Sequence, residues 1–305
     1  MKVDYGLLFP GQGSQFVGMG ADLYERFPES RAVYDRAVEL LEFDLREVSF
    51  AGPEERLRQT RFTQPAILVH SLAALAALPG LTPAAVAGHS LGEYSALHAA
   101  GALDFKSAVR LVRRRAELMA EEGDRQPGTM AALLGLEAAK VEELCASVDG
   151  VVVPANYNEP LQTVISGAPE AVRRAVELAP GMGARKAVML PVSGAFHSPL
   201  LAESAAAFAE FLAGFEIRAP RCPVIVNVSG IPVRTADEIR DALAHQLTSP
   251  VRWVETMRSC LALGINEFLE PGPGRVLAGL ARRVDRSLTV TAAGTADEIA
   301  ALRAS

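Results

Sequence analysis

Cysteine is scarce in this sequence. Cys145, Cys222 and Cys260 are the only ones in 305 residues, odd in number and widely spaced. That excludes a disulfide framework and a Cys-x-x-Cys metal or redox motif, and each reads as a small core residue. No apolar run approaches the roughly 20 residues of a membrane-spanning helix, so no membrane association is expected. Walker, H-E-x-x-H and EF-hand patterns are absent too, and neither a metal nor a cofactor is expected. Positive charge is not in excess: 30 Lys and Arg against 36 Asp and Glu leave a net charge of −6. This argues against non-specific binding of nucleic acid. Internal repeats and low-complexity tracts are lacking. Met1-Lys2-Val3-Asp4-Tyr5 goes straight into a strand without the pattern of a signal peptide, and a cytoplasmic location is expected.

Half of the residues are apolar and 22% are charged, as in ordinary globular enzymes, and 305 residues are enough for two folding units. Tyr5–Phe9 reads as an apolar strand that ends in the Gly-rich loop Pro10-Gly11-Gln12-Gly13-Ser14-Gln15. A helix is predicted over Pro65–Leu78, a short buried strand over Pro83–Ala87, and helices from Glu93 and over Phe105–Glu121. Asp124–Gly128 is polar with Pro and Gly, the mark of a boundary. Beyond it come strand Thr129–Leu134, helix Glu137–Ser147, strands Val151–Ala155 and Gln162–Ser166, helix Pro169–Leu178 and strand Arg185–Leu190. That β-α-β-β-α-β order predicts a ferredoxin-like small domain, residues 125–191, inserted into a large domain of residues 1–124 and 192–305. In the second part of the large domain, strands at Val224–Asn227, Glu267–Leu269 and Leu288–Thr291 alternate with helices. Those helices are Leu200–Phe215, Asp237–Gln246, Val251–Leu263, Arg275–Arg282 and Ala296–Ala304. The fold class is therefore α/β, with a mainly parallel sheet covered by helices.

The residues most suggestive of chemistry are Gly88-His89-Ser90-Leu91-Gly92. A Ser between glycines at a strand-to-helix corner is the nucleophile-elbow pattern: the glycines allow the tight turn, and the hydroxyl ends at the positive end of a helix. The plain alternative is a Gly-rich turn that contains a Ser. A Ser nucleophile needs a base, and there are five histidines. His70 and His98 lie within helices, and His245 sits near a helix end. His89 adjoins Ser90, and strand neighbours point to opposite faces. His197 lies in the loop Ser193-Gly194-Ala195-Phe196-His197-Ser198-Pro199, where the chain re-enters the large domain; it faces either a cleft or solvent.

Arg115 is out of place. On the Phe105–Glu121 helix, at about 100° per residue, it falls among Ala108, Leu111, Val112, Leu118 and Met119, opposite the arc of Arg110, Arg113, Arg114 and Glu117. A guanidinium on an apolar face must find an anion. Its partner is a protein carboxylate in a structural ion pair, or a carboxylate on a substrate held in a bidentate clamp. The Gly11-Gln12-Gly13 loop fails the G-x-G-x-x-G test because residue 16 is Phe; its free N–H groups suit an oxyanion instead. Pro271-Gly272-Pro273-Gly274 reads as a phosphate cradle or a simple strand-to-helix turn.

Taken in order, these segments resemble the malonyl-CoA:acyl-carrier-protein transacylase family of type II fatty acid synthesis. The resemblance runs through residues 9–15, Thr63-Gln64-Pro65-Ala66, residues 88–97, and Leu111-Val112 with Arg115 and Met119. It continues through Asn156 to Gln162, Val164-Ile165-Ser166-Gly167, Phe196-His197-Ser198-Pro199, Gln246, Pro250-Val251 with Trp253, and Glu270-Pro271-Gly272-Pro273-Gly274. It implies an α/β-hydrolase-like large domain with a ferredoxin-like insert, and malonyl-CoA and acyl carrier protein as partners of a monomer. It makes Ser90 the acylated nucleophile, His197 its base, and Gln246 the residue that completes the catalytic set by orienting His197 through its backbone carbonyl. Gln12 and Leu91 are implied as N–H donors to the oxyanion, and Arg115 as the grip on the malonyl carboxylate. Leu161 and Ala116 depart from the family, which often has Gly at the first and usually at the second. Leu91 and Phe196 resemble malonyl-selective members. For a carrier, Arg56, Arg58 and Arg61, or Arg282, Arg283 and Arg286, are candidate docking patches. Two other readings stay open: a serine esterase or thioesterase with the same elbow, and a non-catalytic carrier-docking module in which Ser90 is a turn residue.

Overall fold

The computed structural model describes residues 5–192 and 194–304. Met1–Asp4 and Ser193, which were read as the lead into the first strand and the start of the His197 loop, lie outside the described residues. Among the described residues, ten strands form two sheets. The first sheet holds β1 (Gly6–Phe9), β2 (Ala85–Gly88), β7 (Val224–Ile225), β8 (Pro232–Val233), β9 (Glu267–Glu270) and β10 (Thr289–Ala292), in the order β10-β9-β1-β2-β7-β8. All its pairings are parallel except that of β7 with β8. The second holds β3 (Thr129–Leu134), β4 (Val152–Glu159), β5 (Gln162–Gly167) and β6 (Lys186–Met189), in the order β4-β5-β3-β6, all antiparallel.

Alternation along the parallel strands explains the layers. Leu7, Phe9, Val86, Val224 and Leu269 face one core; Leu8, Ala87, Ile225 and Phe268 face another, built with Trp253, Met257, Leu277 and Ala281. Both faces of the sheet are thus covered, which is why its strands read as unbroken apolar runs. In the antiparallel sheet, Ala131, Leu133 and Ile165 pack beneath the helices Ala138–Ala146 and Pro169–Leu178. Its opposite face, with Met130, Ala132 and Val164, joins the main core. These are the α/β-hydrolase-like and ferredoxin-like architectures.

The differences from expectation have local causes. The helix placed at Pro65–Leu78 runs over Thr60–Ala76 with Pro65 inside it, although Pro normally belongs in a first turn. Thirteen of its 17 residues are buried, so packing on all sides outweighs the lost hydrogen bond. The helix placed at Phe105–Glu121 continues to Arg125, taking in Asp124. Strand β8 was not expected: two residues are too few to show alternation, and its Pro232 is tolerated because β8 is an edge strand. Strand β4 runs past Ala155 to Glu159, with register shifts at Pro154/Asn156 and Tyr157/Glu159 that hide the period. Its far edge is stitched to the large unit: Val251 N–H donates to Ala155 O at 2.8 Å, and Tyr157 N–H to Val251 O at 2.9 Å. Among the described residues, no helix is long and apolar enough to cross a membrane.

Candidate active site

Strand β2 ends at Gly88 and a helix begins at Gly92, so the chain must turn within three residues. A Cβ at Gly92 would lie 2.0 Å from the Phe9 carbonyl oxygen, and one at Gly88 would lie 1.9 Å from the Gly92 carbonyl carbon. Strand, corner and helix therefore approach more closely than any side chain allows. Ser90 takes up the turn with φ 52°, a left-handed conformation that costs a non-Gly residue about 1–2 kcal/mol. Its hydroxyl stands at the helix N-terminus.

His197, also at positive φ (58°), is buried, with its Nε2 2.8 Å from Ser90 Oγ. Its Nδ1 faces two backbone carbonyls, Gln246 O at 2.9 Å and Ser249 O at 3.1 Å. Nδ1 must therefore carry the proton, which leaves Nε2 as the acceptor for the Ser90 hydroxyl. Burial first, and the Arg115 charge second, push the imidazole pKa down to about 3, so the ring is neutral near pH 7. Its orienting partners are carbonyls, not a carboxylate.

Arg115 is 1% exposed. One guanidinium nitrogen donates to Gln64 Oε1 at 2.7 Å; the other donates to both Ser90 Oγ and Gln246 Oε1 at 3.0 Å. All three partners are neutral, and Nε has none among the described residues. Among the described residues no carboxylate forms a direct ion pair with Arg115, although the Glu93 carboxyl acts on it through space. Burial lowers its pKa, while Tyr94 and Glu93 oppose that shift. Glu93 accepts the Asn227 backbone N–H at 2.8 Å, and burial raises its carboxyl to about 7.

These groups open on a cavity of about 170 Å³. Gln12, Gln64, Ser90, Leu91, Arg115, Phe196 and His197 line it from one side, and Met130, Asn156, Asn158 and Val164 from the antiparallel sheet. The backbone N–H groups of Gln12 and Leu91 make no hydrogen bond among the described residues. The site thus has a candidate nucleophile, a neutral imidazole beside it, spare N–H donors and a cation with no carboxylate in direct contact among the described residues. Such a set suits transfer of an anionic acyl group.

Comparison with known proteins is consistent with that set. The acyl transferase domain family matches residues 7–297. The malonyl CoA-acyl carrier protein transacylase of Bacillus subtilis is 44% identical over 297 residues, 96% of this chain and 94% of its own. The chain belongs to the malonyl-CoA:acyl-carrier-protein transacylase family.

Other similar proteins of this kind include a transacylase structure from Coxiella burnetii, with TM-score 0.94, 43% identity, and coverage of 98% and 96% of the two chains. A malonyl-transacylase in complex with a type II PKS acyl-carrier protein gives TM-score 0.95 at 40% identity, over 99% of this chain and 100% of that one. The polyketide biosynthesis protein ThaF of Burkholderia thailandensis is 47% identical over 285 residues; the chain spans 24% of that longer protein.

In this transacylase-family chain the other histidines are accounted for separately. His70 is buried against Gly294 O, His98 is half-buried against Leu103 O, and His245 is exposed beside Asp241 O. His89 differs from expectation: it lines the same cavity as Ser90 and meets Asn158 Oδ1 at 2.8 Å. Strand alternation does not apply, because Ser90 is already on the positive-φ corner. Sequence reasoning gave no role to Gln64, Glu93, Asn227 or Ser249. Gln64 had a signal, a polar residue in an apolar helix like Arg115 in its own. Asn227 follows Val224-Ile225-Val226 and had none.

Proposed function

We propose that the protein transfers a malonyl group from coenzyme A to the phosphopantetheine thiol of an acyl carrier protein, through an ester on Ser90. Ser90 Oγ attacks the thioester carbonyl as its proton passes to His197 Nε2, and the oxyanion is met by the Gln12 and Leu91 N–H groups. The C–S bond breaks and His197 returns the proton to the departing thiolate. The carrier thiol then gives its proton to His197 and attacks the ester; the C–O bond breaks and Ser90 recovers the proton. Gln246 and Ser249 hold His197 in the tautomer that both steps need. The chemistry calls for no metal or redox cofactor, and one chain carries every group invoked, in keeping with a monomer. A cytoplasmic location is part of the same proposal.

The observation that carries this reading is Arg115, buried, with no carboxylate in direct contact among the described residues, 3.0 Å from the nucleophile. A malonyl carboxylate lies one methylene from the carbonyl under attack, within reach of the same guanidinium. A serine esterase has no use for that cation and is disfavoured. The cleft between the proposed large domain (1–124 and 192–305) and insert (125–191) would keep water from the ester.

For the carrier, the patch at Arg282 and Arg286 is favoured. These two and Arg185 line a groove of about 1140 Å³ and have no carboxylate partner among the described residues, whereas Arg283 is tied to Glu159 at 3.0 Å. In the other patch, Arg56 pairs with Glu47, Arg58 with Glu54 and Arg61 with Asp124. Mixing the protein with malonyl-CoA, quenching in acid and mapping the adduct by mass spectrometry tests the reading. A malonyl ester on Ser90, discharged by a holo-carrier protein, is expected; no adduct on Ser90 overturns it.

A further inference from the structure

Ser90 is held in its strained conformation by a residue far away in sequence. Asn227, fully buried just past the end of β7, meets the elbow at three points. Its side-chain Oδ1 accepts the Ser90 backbone N–H at 2.6 Å, its Nδ2 donates to Gly88 O at 2.7 Å, and its own N–H donates to Glu93 Oε2 at 2.8 Å. The strand end and the corner are thereby tied to one side chain, and the first helical turn to the backbone of the same residue. A left-handed non-Gly residue persists only where its surroundings over-determine it. The peptide planes on either side of Ser90 direct both its Oγ and the Leu91 N–H. Any rotation at Ser90 would move nucleophile and oxyanion donor together.

We propose that Asn227 is the positioning residue of this active site, acting through Ser90 and Leu91 and touching no substrate. The proposal rests on Ser90 being the nucleophile assigned above. An amide is required: the carbonyl end serves Ser90 and the amine end serves Gly88 O. In Asn227→Asp, a carboxylate keeps the first contact but turns a second oxygen toward the Gly88 carbonyl, and only its protonated form restores a donor there. In Asn227→Ala both contacts are lost.

The test uses a sulfonyl fluoride, whose reaction needs Ser90, His197 and the oxyanion donors but no malonyl recognition, so it does not depend on the acyl group being malonyl. Asn227→Ala and Asn227→Asp are each expected to slow labelling of Ser90 about a hundredfold at pH 8. Malonyl-CoA loading should show the same fall in rate constant with little change in the malonyl-CoA concentration at half-saturation, since Arg115 is intact. For Asn227→Asp, burial, the facing Gly88 carbonyl and the neighbouring Glu93 carboxyl all push the new carboxyl up, so labelling relative to the parent protein, which shares Glu93, should recover as pH falls from about 8 to 5 and protonation rebuilds the donor. Where Asn227→Ala does not fold, that ratio decides alone. Labelling at the parent rate, or a pH-independent ratio for Asn227→Asp, would overturn the proposal. If the parent protein labels at Ser90 but takes no malonyl group, the transacylase reading fails while the positioning role stands.

Discussion

Arg115 donates a hydrogen bond to the Oγ of Ser90 at 3.0 Å, and none of its partners is a carboxylate. A cation this deeply buried usually has an anion beside it, because desolvation costs several kcal/mol that neutral amides recover only in part. Gln64 and Gln246 hold the guanidinium in place without cancelling its charge, and in the proposed reaction the substrate carboxylate would be its direct anionic partner.

Replacing Arg115 by Ala removes the charge-assisted contacts to that anion. Malonyl transfer is expected to fall at least about a hundredfold in kcat/KM, since each such hydrogen bond contributes about 1.5–3 kcal/mol. Transfer of an uncharged acetyl group should hold or improve. Arg115→Lys should recover little, because a single ammonium cannot span both carboxylate oxygens. Parallel assays with malonyl-CoA and acetyl-CoA measure the ratio, and equal losses on both would refute the assignment.

The pH dependence follows from His197. As the proposed base it can act only when neutral, so activity should be present above its pKa and lost as pH falls through it. With the pKa pushed down to about 3 by burial and by Arg115, kcat/KM should show no fall centred near the ordinary histidine value of about 6.5. Arg115→Gln removes the second cause, so the His197 pKa should rise. Titration of the imidazole by NMR in both proteins checks the sign; an unchanged or lower pKa in the variant would exclude the charge effect.

Many of the residues that the structure brings together here could be singled out from sequence, for reasons that differ residue by residue. Ser90 was visible because its glycines lie within the same five residues. Arg115 was visible because it violates the polarity of its own helix, an anomaly that needs no tertiary information. His197 was different: its loop told only that it stood at a junction, and family resemblance supplied the role. The carbonyl of Ser249 and the amide of Asn227 were beyond reach, because their contacts join segments 52 and 137 residues apart without a local pattern. In the fold, strand order in the insert followed from element order, whereas Pro65 misled because helix packing outweighed propensity.

Gln246 separates backbone from side-chain contributions. Its carbonyl holds His197 Nδ1, while its side chain accepts from Arg115 and donates to Ser90 O at 3.1 Å. Gln246→Ala keeps the first and loses the others. Malonyl transfer should fall about tenfold, acetyl transfer less, and the His197 tautomer should stay unchanged by NMR. Loss of the tautomer would show that the side chain, not the carbonyl, orients the imidazole.

The groove beside the insert offers the last prediction. Arg282 and Arg286 line it without a carboxylate partner among the described residues, and a negatively charged carrier surface would gain most from charges not already neutralised. Arg282→Glu and Arg286→Glu should each raise the KM for the carrier about fivefold, roughly 1 kcal/mol, with a steeper effect at low salt. Arg58→Glu should change little, because Arg58 is already engaged by Glu54 at 2.6 Å. Coenzyme A carries phosphates of its own, so loading is best measured with malonyl-pantetheine, which has none. A groove that serves the carrier leaves that half-reaction at its original rate in all three variants while transfer to the carrier slows in two. Equal slowing by Arg58→Glu would move the docking surface to the other arginine patch.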